Sequence, residues 1–484
     1  MTTPVLSTRP RSLAFAAALA AASVLTLAAV AHASAPAATG SPKTTVAAGK
    51  PLDAAKFTPK SSLPFIVDDY PKALAAARAQ HLPLFVEAWA PWCHSCRSMR
   101  AFVLTDPALA KSAKRYVWLE LDSENAKNAA VTKQLHLVAL PSVFILDPKD
   151  ERVAVRWIGA ASVNQVERLL DAGERAVRGG GSGVDAVLAR ADSLFGANAN
   201  AEAAAAYEDA LHMAPADWPQ RAHAAESVLY TLAQVDSSER CAKLALEQLP
   251  GVRHGASAGN VAASGLDCAL ALPANHAERA KLIATLEGAG REIAADRSVP
   301  MSADDRSGLY IELLSARDDA NDSVGHRATA LQWSAFLDGE AAKAKTPEER
   351  TVFDPHRLSA YLDLGQPERA IPMLQQSQKD FPDDYNPSAR LAIAYNAMKR
   401  YDDALAASDR AFARVYGPRQ FTMWRMRIDI LLGKGDRDGA RAAAQSALAA
   451  AQAMPDGQRS ELTIASFKKK VDELSQPATP VAKQ

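Results

Sequence analysis

At 484 residues, 48% hydrophobic and 23% charged, the chain is globular material too long for one ordinary domain. Its 55 Lys and Arg balance 55 Asp and Glu, so it lacks the basic excess of a protein built to hold a polyanion, and no nucleic-acid partner is expected.

The first 33 residues carry Arg9 and Arg11, an apolar stretch from Leu13 to Val30, and Ala31-His32-Ala33. Basic, apolar and small-x-small segments in that order predict a cleaved signal peptide and a periplasmic protein. The apolar run also approaches spanning length, so an uncleaved N-terminal anchor is the alternative. No cysteine precedes Cys93, which excludes a lipoprotein anchor. Residues 34–62, rich in Ala, Pro, Thr, Ser and Lys without periodicity, predict a flexible linker.

From 63 to 177 strand and helix signals alternate. Phe65–Val67 is a short strand, Pro71–Gln80 an Ala-rich helix, and Leu84–Trp89 (LFVEAW) a strand. A helix opens at the cysteines of WAPWCHSC and runs to about Leu104, with Met99, Phe102 and Val103 expected towards a core. Asp106-Pro107 restarts helix with a cap residue and an N1 proline. Val117–Leu121 is a strand and Asn125–Leu135 helical. Ser142–Leu146 is apolar enough for a strand buried on both faces. Arg152–Ile158 alternates Val153, Val155 and Trp157, as a strand with one buried face would. Ser162-x-x-Gln165 has capping-box spacing and starts a helix to Val177.

VRGGGSGV, residues 177 to 184, holds four glycines that no regular element tolerates, so 178–184 is expected as a Gly-rich linker. Residues 185–473 are Ala-rich and helical, with a disordered tail expected over 474–484. Ala370 and Ala404 lie 34 residues apart, and Ala440 follows 36 residues later. Ala203, Tyr207, Ala210 and Pro215 keep the same internal spacing, and Pro382 follows Ala370 by twelve residues as Pro215 follows Ala203. This pattern resembles tetratricopeptide repeats, clearly at both ends and poorly between 216 and 356. Gly433 and Gly435 mark one intra-repeat turn.

Cys93 and Cys96 sit at a strand-to-helix junction. A thiolate is the attacking species, against an ordinary thiol pKa of roughly 8.5, and the unpaired N–H groups of a helix start favour it at Cys93. His94 is placed to add positive charge and tune the potential. Three-residue spacing returns Cys96 by one turn, where it resolves a mixed disulfide. Covalent haem attachment would need a histidine where Arg97 stands. Zinc would want a second close pair of Cys or His, which the sequence lacks, so no metal or cofactor is expected. A Cu(I) site from Cys93, Cys96 and His94 remains chemically open.

FVEAWAPWCHSC, the later VALPSVFILD and the order of elements resemble the thioredoxin family over about residues 63 to 177. The continuation CRSMRAFVLTDPAL is more similar to the periplasmic C-terminal domain of transmembrane thiol:disulfide interchange reductases. The resemblance implies Cys93 as nucleophile and Cys96 as resolving thiol, with Trp89 and Trp92 flanking them. It implies a cis bond before Pro141, which aligns substrate backbone, and a selectivity role for Leu140. Where the family commonly buries an aspartate this chain has Glu87, implied as a general base for Cys96; the alternative is a solvated edge carboxylate. The lysine often found opposite is replaced by Val117-Trp118-Leu119.

Cys241 and Cys268, 27 residues apart in the helical region, are expected to pair in an oxidising compartment; two separately buried thiols are the alternative. The reading is therefore an α/β thioredoxin-like domain with a mixed sheet, followed by an all-α repeat domain. Together they form an exported thiol–disulfide oxidoreductase, with a lean towards reduction that would need a membrane electron donor. Expected partners are protein thiols or disulfides, and a client on the repeats. The alternatives are a chaperone-like scaffold with a non-catalytic module, and a Cu(I)-handling protein.

Overall fold

A computed structural model describes residues 49–51, 61–179 and 181–476. The expected signal peptide and most of the expected 34–62 linker lie outside these residues, as do residues 477–484 of the tail. Among the linker residues that are described, Gly49 donates its N–H to Val415 O at 2.9 Å, so this stretch is seated on the helical region. No helix among the described residues is long and apolar enough to cross a membrane.

Residues 65–158 build a mixed sheet of β1 (Phe65–Val67), β2 (Leu84–Trp89), β3 (Val117–Asp122), β4 (Ser142–Leu146) and β5 (Val153–Ile158), in the order β1-β3-β2-β4-β5. The first three strands run parallel, and β4 and β5 run antiparallel to their neighbours. Both β2 and β4 are buried along their whole length, as central strands are when helices cover both faces of the sheet. Helices α1 (Tyr70–Gln80), α2 (His94–Ser98), α3 (Ala129–Gln134) and α4 (Val163–Val177) flank the sheet. α4 begins at the expected capping box of Ser162 and Gln165. Residues 107–112 and 126–128 are 3-10 turns rather than α-helix.

The helix after the cysteines differs from expectation in an instructive way. α2 continues into a π-helical turn, Met99–Val103, in which Leu104 N donates to Met99 O at 2.8 Å. The wider turn moves the inward face from an i, i+3 to an i, i+5 spacing. Met99 and Leu104 are therefore buried, whereas Phe102, expected in the core, is 40% exposed, and Arg100 is buried.

β5 also departs from the expected one-sided strand. Helix α5 (Val184–Gly196), the first after the glycine-rich segment, packs on it. Arg156 is fully buried there and donates to Phe195 O at 3.0 Å and His136 O at 2.9 Å. A Cβ on Gly196 would lie 2.5 Å from Val153 Cβ, so this approach needs glycine. The alternation was legible, but its polar face is covered by another domain instead of water.

The remaining helices continue in hairpins through Glu461–Ser475, with the stretch of weak repeat spacing helical as well. Ala203, Tyr207, Ala210, Ala370, Ala404 and Ala440 are all fully buried where helices meet. The helices before Pro215 and Pro382 end at Met213 and Asp380. Gly435 has φ 86° and caps helix Gln420–Lys434, whereas Gly433 lies inside that helix against Tyr401. Cys241 and Cys268 form a disulfide joining helices Ser238–Val252 and Ala258–Ala271. Closing a loop of 27 residues is worth about 3.5 kcal/mol by chain-entropy arithmetic. Cys241→Ala with Cys268→Ala is expected to lower unfolding stability by about that amount, read as a lower urea midpoint. An unchanged midpoint would show that the bridge constrains nothing.

Candidate active site

β2 carries the chain to the redox pair. Ala90 O accepts from Cys93 N at 3.1 Å, and Cys93 then stands as the N-cap of α2 in extended conformation. Its Sγ accepts the Cys96 N–H at 3.1 Å, the bond a serine oxygen makes at an N-cap. Cys93 and Cys96 are joined in a disulfide; Cys96 is fully buried and Cys93 is 4% exposed. The Leu140–Pro141 bond is cis. Leu140 and Trp92 pack with Trp89, Ala90 and both cysteines in one small cluster. Two residues before Leu140, Val138 is 55% exposed.

Beneath this cluster lies a buried polar floor. β2 and β3 are parallel and in register at Glu87 and Glu120, so both carboxylates leave the same face of the sheet, which Trp89 and Asp122 share two residues on. Two carboxylates side by side repel, and the arginine brought inward by the π turn answers them. One Arg100 amino group donates to Glu87 at 3.1 Å and to Glu120 at 2.7 Å, and the guanidinium lies 3.8 Å from the Trp89 ring centroid. Glu87 is fully buried, which excludes the solvated-edge alternative. Burial, eased by Arg100 and reinforced by Glu120, pushes its pKa up to about 7. The cation expected on the opposing strand is thus supplied from the redox helix.

The helical array completes the other side. Arg97, buried on α2, pairs with Asp384 at 2.8 Å. Asn386 Nδ2 donates to Pro91 O at 3.1 Å. Trp92 Nε1 donates to Glu124 at 2.7 Å, the same carboxylate accepts the Arg419 N–H at 2.7 Å, and the Arg419 guanidinium sits 4.7 Å from the Trp92 ring. Tyr416 donates to Asp122, whose pKa burial pushes up to about 7. A Cβ on Gly417 would meet Glu124 O at 2.4 Å, so the backbones touch here.

His94 does not keep the expected role of a cation beside Cys93. Its ring packs against that of His356, with centroids 3.8 Å apart and planes tilted by 57°, and its Nε2 lies 3.7 Å from Asp304. Burial and the Arg390 guanidinium hold its pKa below the ordinary range, so the ring is neutral at neutral pH. Sequence reasoning missed Arg100, Glu120, Glu124, Asp304, Asp384, Asn386 and Arg419. Glu120 carried a local signal, a charge inside an otherwise apolar strand; the array residues carried none.

Residues 66–148 match the thioredoxin-like family, and residues 361–420 match the tetratricopeptide repeat family. The thiol:disulfide interchange protein DsbD of Pseudoalteromonas atlantica is 26% identical over 90 residues, covering 18% of this chain and 15% of that protein. DsbD of Yersinia enterocolitica is 30% identical over 97 residues, covering 19% and 17%. The chain thus spans less than a fifth of the length of these relatives. A tetratricopeptide repeat protein from Parabacteroides merdae aligns over 60% of this chain and 99% of its own, with a TM-score of 0.36 and 10% identity. The chain holds a thioredoxin-like domain distantly similar to DsbD, followed by tetratricopeptide repeats.

The Glu87 floor has a pH signature. The native carboxyl keeps its proton up to about pH 7 where the unfolded chain releases it near 4.5, so Glu87 adds stability at low pH that is lost as pH rises through 7. Arg100→Met removes the shared cation and is expected to cost about 3–5 kcal/mol near pH 8, and less near pH 5 where Glu87 is protonated. Urea unfolding at both pH values checks this; equal losses would mean that Glu87 does not titrate in this range.

Proposed function

We propose that the protein is an exported thiol–disulfide oxidoreductase acting as a reductase of protein disulfides, with access to its nucleophile limited by its own helical array. The observation that carries this reading is the Cys93–Cys96 disulfide at a helix N-cap, with Cys93 Sγ accepting the Cys96 N–H. In the reduced protein that donor stabilises the Cys93 thiolate. The thiolate attacks a partner disulfide, one sulfur–sulfur bond is exchanged for another, and the first partner thiolate leaves. Cys96 then attacks the mixed disulfide. The second partner thiol leaves, the Cys93–Cys96 bond re-forms, and two electrons have passed to the partner. Glu87, with a pKa near neutrality, is suited to take the Cys96 proton directly or through one water. Leu140 and the exposed Val138 beside cis-Pro141 offer an open edge for partner backbone.

The distant likeness to a thiol:disulfide interchange protein supports exchange between thiols and disulfides; the reductive direction is part of the proposal and needs a donor of electrons, proposed to lie in the membrane. Export is supported by the N-terminal sequence grammar and by the buried second disulfide. The Cu(I) alternative loses its third ligand, because the His94 ring lies against His356 and Asp304 of the array and does not join the cysteines in a ligand cluster.

The test uses Cys96→Ala, produced with its leader and acid-quenched. Discrete mixed disulfides are expected on Cys93, and none in the Cys93→Ser, Cys96→Ala double variant. Absence of adducts on an exported, folded Cys96→Ala protein would overturn the assignment in favour of a binding role.

A further inference from the structure

Between the redox helix and the array lies a group of side chains that dithiol exchange does not use. His94 on α2, Asp304 on helix Ala303–Asp319 and His356 on helix Asp354–Asp363 each present a ligand atom, and these atoms lie within 4.8 Å of one another. We propose that these three residues form a binding site for a divalent first-row metal of the zinc class.

Three observations support it. The 3.7 Å between His94 Nε2 and Asp304 Oδ1 is too long for a hydrogen bond, but close to the ligand–ligand edge of about 3.3 Å in a tetrahedral zinc site. Asp304 is only 7% exposed, and its Oδ2 has no hydrogen-bond partner among the described residues, a costly arrangement for a carboxylate without a cation. His356 is oriented from behind: its Nδ1 is 2.7 Å from Ser307 Oγ, which also accepts the Trp333 indole N–H at 2.6 Å. In the tautomer that donates Nδ1–H to Ser307 Oγ, Nε2 keeps its lone pair, the arrangement of a ligating imidazole. Arg390 is the opposing charge; Asp354 and Asp384 offset it, and Arg97 and Arg419 add to it. Two imidazoles and one carboxylate leave a fourth position for water, the composition of an open zinc site. Sequence reading had set zinc aside because no second close pair exists, yet the fold assembles the ligands from three distant segments.

The experiment uses the full chain with both disulfides intact, stripped of metal, so that no thiol can ligate; all four cysteines are paired in this state. Titration with Zn²⁺ is expected to show one equivalent bound, and Co²⁺ to give visible d–d bands of four- or five-coordination. His356→Gln with Asp304→Asn is expected to weaken binding by at least about tenfold. In the wild type, Zn²⁺ is expected to raise the thermal midpoint and a chelator to reverse it, which keeps the proposal testable if the double variant fails to fold. A folded oxidised protein that takes up no Zn²⁺, an unmoved midpoint, or undiminished binding by the double variant would each overturn it. Mixed-disulfide formation is read on Cys93 separately, so failure here leaves the redox reading standing.

Discussion

A guanidinium buried on the redox helix must find a carboxylate, and Arg97 finds Asp384 from 287 residues away. Removing one partner from such a pair strands a desolvated charge at a cost of several kcal/mol. The carboxylate serves both sides: one Asp384 oxygen faces Arg97 while the other accepts the Asn386 N–H at 2.8 Å, capping helix Tyr385–Ala397. Asn386 in turn holds Pro91 O, in the turn that leads to Cys93. Helix start, active-site turn and redox helix are therefore one polar unit. The thioredoxin-like domain is a docked component of the array, gripped at β5 by α5 and at the redox end by residues from Asp304 to Arg419.

The floor beneath the cysteines carries a second electrostatic cost. Glu87, Glu120 and Asp122 line one face of adjacent strands, where apolar residues would pack at no electrostatic penalty. A single arginine spans two of them and a tyrosine from the array caps the third. Burial raises the pKa values of Glu87 and Asp122 towards neutrality, the range in which a carboxyl exchanges protons with a thiol. The π turn at Met99–Val103 is what turns Arg100 inward, so helix irregularity and site electrostatics have one origin.

Strand positions were legible because β2 and β4 are mostly apolar runs of strand length between turn residues, and that signal is local. The α4 boundary was legible from its capping box. Phe102 was misplaced because a 3.6-residue period cannot reveal a π turn. β5 looked one-sided because alternation reports the strand's own polarity and not the domain that covers Arg156. His94 was read as a cation from its neighbour in sequence, but its environment comes from Asp304, His356 and Arg390. Residues that act locally were found; those whose partners arrive from the array were not, since a single sequence carries no pairing information over such separations.

The central claim is that the array, and not the thioredoxin-like domain alone, governs access to Cys93. It is tested most directly by the alkylation rate of Cys93 in the reduced full-length chain, comparing wild type with Asp384→Asn. This variant keeps the size and hydrogen-bonding capacity of the cap while removing the charge that Arg97 needs. The account expects the variant to react faster by at least about tenfold, with unchanged circular dichroism, because the docked turn opens more often. Equal rates in the two proteins would contradict it.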